Sequence, residues 1–126
     1  MGLSGLLLLA LVTLAAAPAA AITTDEFRLR SGADFVALCA TPASDPLYTA
    51  AVHMCHGFGA GTYQTIMAVT RHEKLAPVIC PPQPAPSRND VVARFLEWAK
   101  RNPDRLAEPA VEVVGRFFIT EYPCAQ

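Results

Sequence analysis

No charge of one sign dominates this chain of 126 residues, in which 10 Lys and Arg are interspersed with 11 Asp and Glu. A protein that grips nucleic acid or an anionic lipid surface needs a basic face, and no stretch here supplies one. None of the four cysteines belongs to a Cys-x-x-Cys pair, which argues against a zinc ribbon or a thioredoxin-like redox centre. Gly57, Gly59 and Gly61 are not preceded by a strand and are not followed by Gly-Lys-Ser/Thr, so they do not read as a phosphate-binding loop. Between Asp45 and Glu73 there is no carboxylate at all. That gap removes the usual source of general acids, bases and metal ligands from the longest apolar segment of the chain.

Charge is also missing from the N-terminus, where Asp25 is the first charged side chain. The apolar core Leu6 to Leu14 and the small residues Ala19-Ala20-Ala21 read as a secretory signal peptide over residues 1–21, cleaved near Ala21. Because no Lys or Arg lies near Met1, an uncleaved anchor is the alternative, although the apolar part is short for a span of about 20 residues. Residues 22–126 are then enough for a single helical domain with one core. Cys39, Cys55, Cys80 and Cys124 all fall in this part, and an even number in an exported chain favours two disulfides.

The organising stretch runs from Ser44 to Thr70 and reads as one long helix, with Asp45 as N-cap and Pro46 in the first helical position. Successive steps of 100° put Leu47, Ala51, Cys55, Phe58, Ile66 and Val69 on one face, with Tyr48, Val52, Gly59, Tyr63 and Met67 beside them. Only Thr49, His53, His56 and Gln64 make a polar stripe. A helix apolar around most of its circumference is expected to be enclosed by others, which points to an all-α fold, a small disulfide-bonded bundle of about four helices around a long central one. Gly57 and Gly61, four apart on one face, would let a neighbouring helix or second subunit approach closely.

A short helix over Ala33 to Ala40 precedes it, with Phe35, Leu38 and Cys39 on one face. Thr23 to Arg30 stays open between a capping box and a short extended segment. Five prolines between Leu75 and Arg88 predict an extended linker pinned by Cys80. Ser87 caps a third helix that buries Val91, Val92, Phe95, Trp98 and Ala99, with Asp90 to Arg94 and Glu97 to Arg101 as surface ion pairs. Pro109 opens a fourth, with Ala110, Val113, Val114, Phe117 and Phe118 inward.

Few side chains invite a chemical role. His53 and His56 lie three apart, as two metal ligands would, yet Cys55 points elsewhere and no carboxylate completes a set, so surface histidines are the better reading. Cys55 and His56 are neighbours in a helix and diverge by 100°, which prevents a nucleophile-base pair. Trp98 and the phenylalanines lie on core stripes. No catalytic residue, metal or cofactor is expected.

The helix Asp34-Phe35-Val36-Ala37-Leu38-Cys39, the segment Cys55-His56-Gly57-Phe58 with Gly61, Cys80-Pro81-Pro82, Phe95-Leu96-Glu97-Trp98 followed by Asn102-Pro103, and the closing Tyr122-Pro123-Cys124 together resemble the Rap/Tai family of periplasmic immunity proteins. The resemblance implies a non-enzymatic, often dimeric periplasmic protein that binds and blocks a peptidoglycan amidase delivered by type VI secretion. It transfers no inhibitory residue to this chain, so the partner-binding residues stay unknown. A second hypothesis is a periplasmic acid-stress chaperone of the small helical Hde type, for which three histidines and 11 acids supply titratable groups. A hydrolase lacks a catalytic constellation.

Four cysteines allow three connectivities. In an up-and-down bundle, Cys39 ends the first helix where the central one begins, and the following link lets it fold back to Cys55. The linker carrying Cys80 starts the third helix at the opposite end, to which the fourth returns with Cys124. Cys39 to Cys55 and Cys80 to Cys124 is then the least contorted pairing.

Overall fold

The computed structural model describes residues 20–125. The leader read over residues 1–21 lies outside them, apart from Ala20 and Ala21. Four helices carry the fold: α1 (Gly32–Cys39), α2 (Tyr48–His72), α3 (Arg88–Arg101) and α4 (Ala110–Glu121). Single 3-10 turns occupy Glu26–Arg28 and Pro103–Arg105. The described residues contain no strand, only an isolated antiparallel bridge between Ile79 and Pro123. The all-α, disulfide-bonded bundle expected from the sequence is the fold found.

Local chemistry explains where the helices start. The Ser87 hydroxyl accepts the Asp90 N–H at 3.1 Å while the Asp90 carboxylate receives the Ser87 N–H at 3.2 Å, a complete capping box. Ser31 and Asp34 form the same box at the head of α1. Between Thr23 and Arg30 the chain is neither a complete capping box nor an extended segment, since the Thr23 hydroxyl accepts the Asp25 N–H and not that of Glu26. Glu26 receives the Thr23 N–H at 2.8 Å, and a single 3-10 turn follows.

The entry to α2 corrects the expected start at Ser44. Asp45 does receive the Leu47 N–H at 2.8 Å, as a cap would, but its other oxygen takes the Ile22 N–H at 3.2 Å. The chain first makes a tight turn from the Tyr48 N–H to the Asp45 carbonyl, and the first α-helical bond runs from the Ala51 N–H to the Leu47 carbonyl. At its other end α2 continues through His72 instead of stopping at Thr70.

The core is one cluster assembled around α4, which buries Ala110, Val113, Val114, Phe117 and Phe118 as the sequence predicts. Phe117 meets Phe95 edge-on at 5.3 Å and Trp98 at 6.1 Å, while Phe95 reaches Phe35 of α1 at 4.9 Å. Burying rings of this size is the largest apolar contribution to the fold, and their tilted and edge-on arrangements suit the ring quadrupoles. Gly32 is needed here because a Cβ on it would come within 2.7 Å of a Val113 methyl.

Although α2 is the longest element at 25 residues, or about 37 Å at 1.5 Å per residue, it is not enclosed. Ala51 and Cys55 are buried and Phe58, Tyr63, Ile66 and Met67 pack partly on the core, but Thr49, Ala50, His53, Met54, Gly57, Gly61 and Gln64 face outward. Counting every apolar side chain as core-facing led to the expectation of enclosure. Ala and Gly on the outer side hide little area whether exposed or not, so they say little about burial. α4 runs antiparallel to α2, with Gly115 against Ile66 and Phe118 against Tyr63 at 5.4 Å between rings.

The linker after α2 departs from an up-and-down path. From the end of α2 it returns as an extended strap to the far end of α4, where the Cys80 N–H donates to the Tyr122 carbonyl at 2.8 Å. Two disulfides, Cys39–Cys55 and Cys80–Cys124, join Cα atoms 5.2 and 4.8 Å apart. The pairing is the one expected from the sequence, although the strap does not take the up-and-down route by which it was reached.

Candidate partner-binding surface

Residues 71–78 are exposed without interruption, between the last core contact of α2 and the fully buried Ile79. Both ends of this strap are fixed, one by a local cap and the other by contacts with the distant C-terminal segment. At the α2 end the Leu75 N–H donates to the Thr70 carbonyl and the Lys74 N–H to the Arg71 carbonyl, the paired bonds of a Schellman cap. Lys74 accepts the left-handed conformation, φ 55°, that this cap requires. At the other end Ile79 packs into the core, bridges Pro123, and is followed at once by the Cys80–Cys124 disulfide.

The strap is not wholly polar. Leu75 is 62% exposed, Val78 42%, and Val69 in the last turns of α2 53%. An extended, exposed backbone pinned at both ends has little conformational entropy left to lose on binding, and apolar side chains along it supply contact area. The arrangement suits insertion into a concave partner surface.

Beside it, the outer side of α2 presents His53, Met54, Gly57, Gly61 and Gln64. A Cβ added at Gly57 or Gly61 would meet nothing within 4 Å. The close helix approach that their spacing permits is therefore not used among the described residues. Gly59 differs, since a Cβ there would touch the Phe35 ring at 3.7 Å.

The titratable groups are arranged for structure. Cys55 is held in a disulfide, so its thiol is not free to act as a nucleophile beside His56. His53 and His56 lie on α2 at the surface, and no group of three His, Cys, Asp or Glu suited to a metal occurs among the described residues. The expected surface pairs on α3 are replaced by others. Asp90 is committed to its capping box, and Arg94 and Arg101 turn to Glu121 of α4, at 3.8 and 3.1 Å. Glu97 instead takes Lys100 at 2.7 Å.

The Lys100 hydrogen bond holds the Glu97 carboxyl below its usual range, and the Arg105 hydrogen bond does the same for Glu108. Burial raises Tyr122, whose hydroxyl has no hydrogen-bond partner among the described residues. None of these groups faces a nucleophile. The sequence could not place the Arg94–Glu121–Arg101 cluster because it depends on how α3 crosses α4, which no local spacing encodes.

The described residues thus form a compact helical domain with two disulfides and an exposed segment between α2 and Ile79. The family model for Rap1a immunity proteins matches residues 31–124, and the chain belongs to that family. No curated protein and no solved structure matches it. Membership makes it an immunity-type protein, with a secreted toxin as the implied partner.

Proposed function

We propose that this protein is exported to the periplasm through a leader cleaved near Ala21 and inhibits a secreted peptidoglycan amidase by occluding its active site, without catalysis of its own. The observation that carries this reading, beyond family membership, is the exposed segment 71–78, in which the end of α2 and its Schellman cap lead into the extended residues 75–78, fixed beyond them by the Cys80–Cys124 disulfide. A hydrolase that cuts an extended polymer has a cleft, and a stiff extended segment fills a cleft at low entropic cost. The two disulfides suit the oxidising periplasm. The open side of α2 leaves room for a second copy of the chain, consistent with a homodimer.

The test is to purify a secreted peptidoglycan amidase, one encoded beside this protein where the genome holds it, and follow release of peptidoglycan fragments as the protein is added. Activity should vanish near equimolar inhibitor. Acid-dependent protection of unrelated proteins from aggregation, with no effect on the amidase at neutral pH, would assign the chaperone function instead.

A further inference from the structure

Between the middle of α2, the Pro-rich segment before α3, the first turns of α3 and the buried face of α4 lies a part-open cavity of about 270 Å³. Its floor is the core itself, made by Phe95, Val114, Phe117 and Ile79, each at most 2% exposed. The opening exists because the wall residues there are small: Gly59 and Ala60 on α2, and Ala85 on the segment opposite. A larger side chain at Ala60 or Ala85 would fill the space. The wall opposite α2 is held in place by Pro81, Pro86 and the disulfide at Cys80, so it does not depend on a mobile loop.

The rim is polar in a particular way. His56, Gln64 and Arg88 line the mouth. Arg88 is the first residue of α3, the end at which the helix dipole disfavours a cation, and it forms no ion pair among the described residues. An unpaired guanidinium at an unfavourable position beside an apolar cavity matches a ligand with an apolar body and an anionic head.

We propose that this cavity binds one single-chain anionic amphiphile, its tail against the half-buried Tyr63, Val91 and Val92 and its head at Arg88. At about 30 Å³ for a water-sized group, the space holds a chain of about eight to ten carbons. The cavity is separate from the exposed strap, and this binding goes beyond inhibition of a toxin. Shape and charge each have a role: the tail supplies apolar burial and the head selects an acid over an alcohol.

The experiment is calorimetric titration of the purified, disulfide-bonded protein with sodium decanoate below its micelle concentration, with hexanoate and decanol as comparisons. Saturable binding of one decanoate is expected, at least about tenfold tighter than hexanoate because four methylenes are lost. Arg88→Gln should weaken decanoate about fivefold and leave decanol unchanged. Ala60→Phe should abolish both without lowering Tm. If that variant fails to fold, Ala85→Leu serves the same purpose, and the methyl resonances of Val91, Val92 and Val114 in the wild type should shift on adding decanoate. Unsaturable uptake, equal binding by both plugged variants, or shifts confined to other surfaces would overturn the proposal. So would a dimer that Ala60→Phe dissociates and that takes up no decanoate, since the cavity would then be a contact between two copies.

Discussion

At the scale of single residues, the glycines separate into two kinds that the sequence alone does not distinguish. Gly32 sits where a Cβ would strike Val113 at 2.7 Å, whereas Gly57 and Gly61 look into open space. Gly32→Ala should therefore destabilise the fold, by about 1–3 kcal/mol as an overpacked core position. Gly57→Ala with Gly61→Ala should stabilise it by about 0.5–1 kcal/mol per site, because each glycine carries only an entropic cost in an exposed helix. Chemical denaturation of the three proteins checks both signs. If the double variant gains stability yet loses partner binding, the glycines serve an interface; if it loses stability, the reading of this side as open is wrong. Core residues were the most legible part of the sequence, since Phe35, Leu38, Phe95, Trp98, Val113, Val114 and Phe117 fall on helical stripes and are all buried. Periodicity reads side chains large enough to matter, and failed on α2, where Ala and Gly filled the outer side.

At the scale of elements, caps and closures decide where helices begin, end and connect. Lys74 adopts φ 55° in the Schellman cap of α2, a conformation that disfavours any side chain bearing a Cβ. Lys74→Gly should raise stability by about 1 kcal/mol, seen as a higher Tm with an unchanged circular dichroism spectrum. A loss of stability would mean that the Lys side chain holds the strap in some other way. The disulfides close loops with sequence separations of 16 and 44 residues. By loop entropy they contribute about 3 and 4 kcal/mol respectively, so Cys80→Ser with Cys124→Ser should lower stability more than Cys39→Ser with Cys55→Ser. Equal losses in denaturant titrations would show that strain or residual structure outweighs chain entropy. The pairing matches the one expected, but the up-and-down route used to reach it does not hold, because the strap's return path was not legible. Prolines announce extended backbone without giving its direction, and only the buried Ile79 and its bridge to Pro123 set it.

For the whole molecule, interspersed charge and exposed ion pairs imply a weak dependence on pH near neutrality. Arg105 holds the Glu108 carboxyl low and Lys100 holds Glu97 low, so their contributions are complete above the unfolded carboxylate pKa and are lost as pH falls through the lower folded values. Stability should be level from about pH 5 to 8 and decline only below about pH 4, with a smaller decline in Glu108→Gln. Thermal melts across that range measure it. A sharp opening between pH 5 and 6 would favour an acid-triggered protein over a rigid binder. The candidate surface was the least legible feature, because exposure of the strap depends on what does not pack against it. The central claim is that this stiff strap lets an immunity-type protein block its toxin. It is tested most directly by titrating the toxin that the wild type neutralises with the wild type and with Leu75→Asp, after matched melts show both folded. The account predicts complete inhibition at equimolar wild type and at least about tenfold weaker inhibition by the variant, as for the loss of a buried apolar anchor. Full toxin activity in excess wild type, or equal inhibition by both proteins, would contradict it.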